Sequence, residues 1–528
     1  MSFNLIEEKW IPVVKRNGKR ERIAPWEITV DYANNPIVSL DAPRADFNGA
    51  LIQFLIGLVQ TFAAPKGEED WDARWENPPD PWELREAFRK CTEVFDLSGD
   101  GSRFMQDLHL RDTESRPLAM LLIDSPGENT VQKNTDFFVK RGFVSDMCLP
   151  CAAMALFTLQ TNAPAGGQGV RTSLRGGGPL TTVIVGQTLW ESVWLNVLER
   201  DRLAHLCRKE LDANEYKFPW LAPTRTSENG QQTTAHDVHA CQMFWGMPRR
   251  IRLDLDDTVT GKCSLCGAEL TKLVSSFRAR NYGINYSGPW LHPLTPHSIN
   301  RENIPLPFHP QPGGLTYRYW LGLVIEDAGT RSQPAEVVRA FLRRRKDFPE
   351  LRFRLWAFGY DMENMKPRCW YEATMPLILV EESHREAYEK EVISLIIASQ
   401  KAADSTKRCI KSAWFRRPKD IRGDLPQIAE RFWHDTENDF YSTLEAIRRS
   451  MADSSNTEEV RNWWFERIRR QALSLFEDQV LSAPIEESDP ERIVKARRQL
   501  MKELAGLKKV LNLTGKSKEL PNRGTPRS

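Results

Sequence analysis

The stretch Cys148-Leu-Pro-Cys151-Ala-Ala-Met-Ala-Leu-Phe157 opens an apolar run with two thiols spaced two residues apart. The same spacing returns far along the chain in Gly261-Lys-Cys263-Ser-Leu-Cys266-Gly267. Each pair suits two adjacent corners of a tetrahedron, and four thiolates complete a closed zinc site without an open position for water. We therefore predict one structural zinc ion, which requires the two distant segments to meet in the fold. Its expected ligands are Cys148, Cys151, Cys263 and Cys266.

Two independent buried cysteine pairs remain an alternative interpretation, because the gap between the pairs exceeds the usual spacing of a zinc ribbon. A thioredoxin-like redox motif fits less well, since that motif is single and normally follows a strand of a βαβ unit. The other cysteines are scattered, so the nine cysteines of this 528-residue chain do not form a disulfide framework.

The length and composition restrict the class of protein. A chain of 528 residues is too long for a single hydrophobic core, so we expect at least two domains. Its 17 Trp and 24 Phe argue against a disordered chain. A formal net charge of only +2 provides no global field for nucleic acid, so any such binding must use local patches or partner subunits.

Nothing in the sequence predicts a membrane protein. The most apolar helical run, Leu51 to Ala64, is too short to span a bilayer, which takes about 20 residues. The first residues lack the basic and apolar regions of a signal peptide. We therefore expect a soluble, cytoplasmic protein.

Hydrophobic periodicity predicts an α+β fold with a change of character after about Leu379. We predict a large mixed α/β domain over residues 1–375 that carries the zinc site. A four-helix bundle over 376–514 and a disordered basic tail over 515–528 are expected to follow. A buried helix is expected over Asp46–Phe62, and the acidic, Pro-rich stretch from Lys66 to Pro81 is expected to be a loop.

The bundle prediction rests on four amphipathic patterns. Their apolar stripes begin at Tyr388, Ile428, Val460 and Ile493. The third pattern is preceded by a predicted capping box of Ser455 and Glu458. The fourth opens with Asp489 before Pro490, which is typical of a helix start.

A glycine-rich segment runs from Ala163 to Pro179 and also holds Arg171 and Arg175. Glycines let the backbone approach a ligand closely, and arginines pair with phosphates. The segment is not a Walker A loop, since no Gly-Lys-Ser/Thr follows, and it follows a helix where a dinucleotide fingerprint would follow a strand. By itself it is as compatible with a flexible surface loop as with a nucleic-acid contact.

Polar residues that suit nucleic acid follow the second cysteine pair in Phe277-Arg278-Ala-Arg280-Asn281-Tyr282. Arginine, asparagine and tyrosine together can contact phosphates and base edges. A solvated strand with a packed tyrosine is the alternative. Two basic clusters, Arg343–Lys346 and Lys407–Lys419, are typical of solvated helix faces or subunit contacts, with nucleic acid as a further option.

Catalytic arrangements are missing from the sequence. No His-Glu-x-x-His motif and no Gly-x-Ser-x-Gly elbow occurs. His292, His297 and His309 fall near Asn300, as in a metal nuclease, but the Pro-bounded segment around His292 predicts packing. We therefore expect a protein that is not an enzyme.

The motifs resemble, in order, those of the large subunit (CasA family) of the type I-E CRISPR Cascade surveillance complex. The resemblance begins with Asn4-Leu-Ile6 and Trp10-Ile-Pro-Val13 and continues through both cysteine pairs. Further similar motifs are Asn162-Ala-Pro164, Ser173-Leu-Arg-Gly-Gly-Gly-Pro-Leu-Thr-Thr182, Gly288-Pro-Trp-Leu-His-Pro293 and Gly359-Tyr-Asp-Met-Glu-Asn-Met365. With the predicted bundle, the similarity extends over essentially the whole chain.

This resemblance implies a non-catalytic subunit of an RNA-guided complex, close to the 5′ handle of the CRISPR RNA. Such a subunit recognises the protospacer-adjacent motif (PAM) in double-stranded target DNA and promotes duplex opening and R-loop formation. It then recruits a separate helicase-nuclease. The implied partners are the other Cascade protein subunits, the CRISPR RNA, the target DNA and that helicase-nuclease, with no membrane.

The resemblance also implies nucleic-acid-binding residues. Contacts to the RNA handle and the PAM region are implied for Asn134, Phe137, Phe138, Lys140 and Arg141. Entry into the minor groove is implied for Ala165, Gly166, Gly167, Gln168 and Gly169, with Arg171 beside them. PAM contacts are implied for Arg278, Arg280 and Asn281, and a strand-separating wedge for Asn364 and Met365.

The chain departs from the family at two of these places. Family members can carry a lysine in the PAM-reading segment, where this chain has Asn281 next to Arg280. The wedge of the family can be a glutamine, where this chain has Asn364 and Met365.

Two rival functions are a zinc-stabilised nuclease acting on the target and a scaffold that binds only protein subunits.

Overall fold

The computed structural model describes residues 2–110, 113–134, 136, 141–207, 211–327, 329–344, 353–363, 366–420, 425–482 and 489–513. The described residues fall into two compact units. The first unit takes those of Met1–Gln311 and Leu321–Leu377, and the second takes those of Pro312–Trp320 and Ile378–Ser528. The predicted basic tail 515–528 lies outside the described residues.

The first unit mixes helices with several small sheets, in agreement with the predicted α+β class. Its strands are β1 (Ile11–Lys15), β2 (Arg20–Ile23), β3 (Ile37–Leu40), β4 (Ser115–Pro117), β5 (Thr181–Val185), β6 (Arg250–Leu253), β7 (Thr258–Lys262), β8 (Glu269–Val274), β9 (Ser276–Arg280), β10 (His297–Ile299), β11 (Pro305–Pro307), β12 (Ser332–Gln333), β13 (Phe353–Glu363) and β14 (Lys366–Leu377). The sheet orders are β2-β1-β3, β4-β9-β6, β7-β8, β11-β10-β12 and β14-β13-β5.

Helices connect and cover these sheets. They are α1 (Ala45–Phe62), α2 (Glu68–Glu76), α3 (Pro81–Arg89), α4 (Glu128–Gln132), α5 (Leu149–Asn162), α6 (Leu189–Trp194), α7 (Arg200–His205), α8 (Asn214–Lys217), a distorted turn α9 (Trp320–Leu323) and α10 (Glu336–Arg344). Shorter 3-10 turns are Pro25–Thr29, Thr92–Phe95, Leu118–Leu121, Pro219–Leu221 and Ala240–Phe244.

Helix α1 is the centre of the first unit's core, because it is apolar on nearly every face. Phe54, at its middle, packs its ring against five aromatic side chains at centroid distances of 5.3 to 6.1 Å. These partners are Trp10, Phe95, Phe104, Phe157 and Trp245. Gly49 permits close approach to the β13–β14 pair, since a Cβ there would lie 2.8 Å from Phe358 and Trp370.

The predicted buried helix over Asp46–Phe62 is confirmed as α1. The predicted loop over Lys66–Pro81 is wrong, because α2 occupies its centre. The acidic residues lie in the first turn of α2, where they favour the positive end of the helix dipole. Trp71 then anchors the helix, with only 1% of its surface exposed.

Four long helices make up most of the described part of the second unit. They are α11 (Arg385–Trp414), α12 (Pro426–Ala452), α13 (Glu458–Leu481) and α14 (Pro490–Ala505), followed by the short α15 (Leu507–Val510). Helix α11 packs against α12, α13 and α14, and α13 packs against both α12 and α14. None of the helices in the described ranges is long and apolar enough to cross a membrane. Short 3-10 turns of this unit are Tyr317–Tyr319, Glu382–His384 and Pro418–Asp420.

The helix starts agree only partly with the sequence. The side chain of Asp489 accepts a hydrogen bond from the Arg492 backbone N–H at 3.1 Å, as predicted for α14. The capping box of Ser455 and Glu458 is wrong, because α13 begins after Thr457. There the Asn456 side chain accepts the Glu458 backbone N–H at 2.8 Å.

Nothing in the sequence indicated that Pro312–Trp320 belongs with the helices that follow residue 378. Tyr317 explains the association, since its ring is fully buried and stacks on Phe440 at 4.2 Å between centroids. Its hydroxyl lies 2.9 Å from Thr436 Oγ1. An aromatic side chain delivered from outside the helical segment therefore fills the interior of the second unit.

We predict that Tyr317→Ala lowers the free energy of unfolding of the second unit by about 3–5 kcal/mol, as for other buried aromatic residues. Tyr317→Phe keeps the ring and should cost only about 1 kcal/mol through the lost hydrogen bond. Chemical denaturation of both variants measures the difference. Equal, small losses would show that the stacked ring does not stabilise this unit.

Candidate metal centre and nucleic-acid interface

The four predicted cysteine ligands converge in the first unit, although they come from two distant segments. Cys148 is the N-cap of α5 and Cys151 lies in its first turn, where the helix dipole favours thiolates. Cys263 and Cys266 lie in the turn between β7 and β8. Gly267 closes that turn with a φ of +74°, a conformation that glycine adopts without strain.

The sulfur geometry suits a tetrahedral metal ion. All four Sγ atoms lie within 4.8 Å of one another, and Cys148 Sγ is 3.6 Å from Cys266 Sγ. Zinc–sulfur bonds of about 2.3 Å place neighbouring sulfurs about 3.8 Å apart in a tetrahedron. Cys148, Cys151 and Cys263 are buried, while Cys266 is half-buried. The cluster could therefore hold a metal ion, and its soft, closed donor set fits structural zinc.

The backbone and the neighbouring thiols favour a thiolate at one position of this cluster, Cys263. The Cys148 backbone N–H donates to Cys263 Sγ at 3.4 Å. Hydrogen bonds from the Cys148 and Cys151 thiols hold the pKa of Cys263 far below its usual range. Contacts with Cys148 and Cys263 raise the pKa of the Cys151 thiol.

Helix α5 runs from this cluster to the glycine-rich segment. The side chain of Gln160, near its end, accepts from the Arg249 backbone N–H and donates back to the Arg249 carbonyl, both at 2.9 Å. The Arg249 guanidinium donates to the Pro164 carbonyl at 2.5 Å. Arg249 thus fixes the point where the glycine segment leaves the helix, a role that no sequence motif indicated.

The glycine loop Ala165–Gly169 contacts the segment after β9. Two sets of predicted nucleic-acid-binding residues therefore lie next to each other. The Tyr282 backbone N–H donates to the Gly169 carbonyl at 2.7 Å. The Asn281 side-chain amide donates to the Gln168 carbonyl at 2.9 Å. Gly169 has a φ of +74°, and a Cβ there would lie 2.9 Å from the Tyr282 ring. We call this contact the loop–turn junction.

Tyr282, for which the sequence allows either a nucleic-acid contact or a packed aromatic, is a positioning residue in the structure. Its own φ of +61° places it in the left-handed region, which non-glycine residues rarely adopt. Its carbonyl accepts the Ser227 backbone N–H at 3.1 Å, which helps to hold this conformation. The ring is thereby directed against Gly169, so the junction has a defined geometry.

The tip of the glycine loop faces solvent. Gly167 and Gln168 are exposed, whereas Ala165, Gly166 and Gly169 are half-buried. A Cβ on Gly167 would meet no atom within 4 Å. The tip therefore combines a slender backbone with one polar side chain, on a loop held at both ends.

The two arginines of the glycine-rich segment are engaged within the protein. Arg171 donates through Nε to Ser227 Oγ at 2.8 Å. The sequence allowed Arg175 as a phosphate ligand, but only 3% of its surface is exposed. Its guanidinium donates to Gln53, Thr181 and Thr295. These partners are neutral, and burial lowers the pKa of Arg175 to about 9. Arg175 is consequently a core residue.

The arginines of β9 differ in their surroundings. Arg278 donates to Asp254 at 2.9 Å and to the Thr113 carbonyl at 2.7 Å, so its charge is compensated internally. Arg280, at the end of the strand, is exposed and has no ion pair within the described part of the chain. It lies one residue from Asn281 and the loop–turn junction. Arg280 is therefore the available cation of this segment.

The segment that holds Asn134 and Arg141, predicted to contact the RNA handle, precedes the cysteine cluster in the chain. Arg141 pairs with Asp136 at 2.5 Å and donates to Asn134 Oδ1 at 3.0 Å. Further along, the Ser264 backbone N–H donates to the Asp146 carbonyl at 2.9 Å, which joins the segment to the cysteine turn. The predicted contacts Phe137, Phe138 and Lys140 lie outside the described residues.

Strands β13 and β14 form a long hairpin, with Glu363 paired to Lys366 at its end. Arg368 fastens this end, because it donates to both oxygens of Asp361 at 2.9 and 2.6 Å and to Glu363 at 2.6 Å. Asn364 and Met365, the predicted wedge, lie between the paired residues but outside the described residues.

Of the three histidines singled out in the sequence, His292 and His297 are buried in the first unit and His309 is half-buried. His292 and His297 are 2% and 7% exposed. Burial lowers the pKa of His297 to about 4, and its Nε2 lies 3.2 Å from the Trp290 carbonyl. His309 Nδ1 lies 3.0 Å from the Gly177 carbonyl. The burial of His292 agrees with the packing role predicted for its segment.

Comparison with known proteins identifies the family. Residues 4–475 match the family described as CRISPR-associated protein Cse1. The chain is similar to the crystal structure of Cse1 from Thermobifida fusca, with 18% identity, coverage of 97% of this chain and 99% of that one, and a TM-score of 0.73. It is also similar to Cse1 from Acidimicrobium ferrooxidans, with 17% identity, coverage of 96% and 99%, and a TM-score of 0.70.

A third similar structure is a chain of a CRISPR RNA-guided surveillance complex, at 15% identity, coverage of 96% and 99%, and a TM-score of 0.69. At these identities the structures show the shared fold, while the family match extends over nearly the whole sequence. The chain belongs to the CRISPR-associated protein Cse1 family, the large subunits of the type I-E CRISPR surveillance complex.

Proposed function

We propose that this subunit is a non-catalytic reader of the PAM in double-stranded DNA, within a complex that also holds CRISPR RNA and the other Cascade subunits. The observation that supports this most is the loop–turn junction. It presents the exposed tip at Gly167 and Gln168 beside the free cation Arg280. A slender polar tip next to a cation is suited to a groove lined by phosphates.

The glycine loop suits the minor groove, which is only about 6 Å wide. Gly166 and Gly167 bring backbone N–H groups without side-chain bulk, and Gln168 adds one donor and one acceptor. Minor-groove readout is degenerate, which fits tolerance of several related motifs. The guide RNA would read the long target by base pairing, a division of labour also used by a single-protein effector.

Among the predicted PAM contacts, we assign the charged contact to Arg280. Arg278 is paired with Asp254, so we assign it a structural role in holding β9. Asn281 donates one amide N–H to the Gln168 carbonyl, which leaves its side-chain oxygen for an incoming donor. Asn281 therefore couples the loop to the PAM segment, while Arg280 faces the DNA.

The remaining roles are proposed from the family resemblance. The segment with Asn134 and Arg141 contacts the 5′ handle of the CRISPR RNA. The hairpin of β13 and β14 carries the wedge at Asn364 and Met365, and a stiff hairpin end supports such a role, because unstacking a base step costs a few kcal/mol. R-loop formation follows, and the subunit then recruits a separate helicase-nuclease.

We infer that the cysteine cluster holds one structural zinc ion and that the C-terminal helices act as a four-helix bundle. The bundle would contact a DNA strand or neighbouring subunits through exposed cations such as Arg498 and Lys502. Many cations of this unit are engaged within it, since Arg408 pairs with Glu503 and Arg497 with Glu477. A cytoplasmic location agrees with these partners.

None of the contacts described above favours the nuclease alternative. In the described part of the chain, the group of three or more potential metal ligands is the closed cysteine set. A purely protein-binding scaffold would leave the tip at Gln168 and the cation at Arg280 without a role. DNA binding by variants of these residues separates the scaffold from the PAM reader.

We predict that purified protein contains one zinc ion per chain and that Cys263→Ser loses it. The lost ligand should also lower the melting temperature, because metal binding is coupled to folding. Elemental analysis and thermal unfolding measure the two effects. Cys369→Ser, at an exposed cysteine outside the cluster, is the matched control. Zinc-free wild-type protein with reduced thiols would contradict the zinc assignment.

We predict that Arg280→Ala, in the assembled complex, weakens binding of a PAM-containing duplex by about 1–3 kcal/mol, and that the salt slope falls by about 1. Binding titrations at several salt concentrations measure both quantities. Lys272→Ala, at an exposed cation of β8, is the control for the loss of charge and should bind like the wild type. If both variants weaken binding equally, Arg280 has no specific role.

A further inference from the structure

The cysteine cluster has a cationic neighbour from a third part of the chain. Arg22, on β2, directs its guanidinium to the cluster, with Nη2 3.5 Å from Cys266 Sγ. Cys266 is the half-buried sulfur, while the other three cysteines are buried. The arginine therefore lies against the sulfur that solvent can reach most easily.

The surroundings of β2 set Arg22 apart from its neighbours. Ile23 faces the core and Arg22 faces out, as expected for alternate residues of a strand. Arg20, two residues earlier, lies 3.3 Å from Asp41, and Glu21 pairs with Lys15 and Lys19. Within the described residues, Arg22 donates to the Cys266 sulfur, whereas its neighbours pair with groups of opposite charge.

The charge of the occupied site explains why a cation belongs there. Four thiolates around Zn²⁺ leave a net charge of about −2, much of it on the sulfur atoms. An N–H donor reduces the electron density on a thiolate, which makes that sulfur a weaker nucleophile and a harder site to protonate. Groups around the first ligands commonly tune metal retention in this way.

We propose that Arg22 is a positioning residue for the zinc site: its guanidinium protects the Cys266 thiolate from electrophiles and slows loss of the metal. This inference rests on the proposed zinc site. It adds a third chain segment, the N-terminal sheet β2-β1-β3, to the two segments that the cysteines join. The sheet and the cluster thereby stabilise one another.

Arg22→Ala, Arg22→Gln and Arg22→Lys test the proposal, with Arg20→Ala as the matched control on the same strand. Each protein is first shown to hold zinc by elemental analysis. Zinc release to a chromogenic chelator and alkylation by iodoacetamide, mapped by mass spectrometry, are then followed over time. The chelation and alkylation rates report on the sulfur itself, which a merely structural role of Arg22 would not single out.

Arg22→Ala should release zinc about 3- to 10-fold faster, below the ~10–100-fold range of buried supporting groups because Arg22 is exposed. Among the four cysteines of the cluster, its alkylation should begin at Cys266. Arg22→Gln and Arg22→Lys should give intermediate rates, since each retains a donor, and Arg20→Ala should match the wild type.

Equal release and alkylation rates in zinc-loaded Arg22→Ala and Arg20→Ala would overturn the role of Arg22 alone. Alkylation that begins at Cys148, Cys151 or Cys263 would overturn it as well. A wild-type chain that holds no zinc would overturn both this proposal and the zinc assignment, and elemental analysis distinguishes that result from the others.

Discussion

The meeting of the start of α5 with the turn between β7 and β8 is the constraint on which the first unit's functional surface depends. Cys148 and Cys151 bring one segment, and Cys263 and Cys266 bring the other. A backbone bridge between Met147 and Val274 reinforces the same junction. The core packing of α5, the backbone bridge and the four sulfurs together define this long-range contact, which local propensity does not specify.

Two arms extend from this point and meet again at the loop–turn junction. One arm is α5, which at 14 residues spans about 21 Å. The other arm consists of β8 and β9 and ends at Arg280. Because both arms are regular elements that start at the cysteine cluster, the glycine loop and the segment after β9 lie side by side. A distant structural site therefore determines the geometry of the proposed DNA-reading tip.

The same arrangement is compatible with the proposal that this weakly charged chain binds DNA. Its net charge is +2, and most arginines near the tip, among them Arg171, Arg175 and Arg278, are used within the protein. Arg280 remains available at the edge of the junction. Recognition would then depend on the shape of the glycine loop and on partner subunits, with limited help from long-range attraction.

Much of this organisation could be predicted from the sequence, where the signals were local. The doubled cysteine spacing predicted the cluster, the apolar run predicted α1, and Asp489 with Pro490 predicted the start of α14. The prediction of a loop over Lys66–Pro81 was wrong for a physical reason. The acidic stretch that contains α2 lacks an apolar stripe, and a single buried Trp71 decides its structure.

The tertiary partners of individual residues could not be predicted, because residues far apart in the chain leave no local pattern in the sequence. The insertion of Tyr317 among the helices of the second unit depends on a cavity built from Phe440 and Thr436, which no pattern near Tyr317 indicates. Likewise, Arg175 has the composition of a phosphate ligand but is enclosed by Gln53 and two threonines. The pairing of Tyr282 with Gly169 requires a left-handed backbone at both residues, which tertiary contacts impose.

Site-specific photo-cross-linking in the assembled complex, bound to a PAM-containing duplex, tests the proposed PAM-reading role of Gln168 and Arg280. A photoreactive residue is placed at Gln168, at Arg280 or, as a control, at the exposed Asn17 of the β1–β2 turn. If that role is correct, DNA adducts form close to the PAM from the first two positions and none forms from the third. Adducts to protein alone from Gln168 and Arg280 would contradict it.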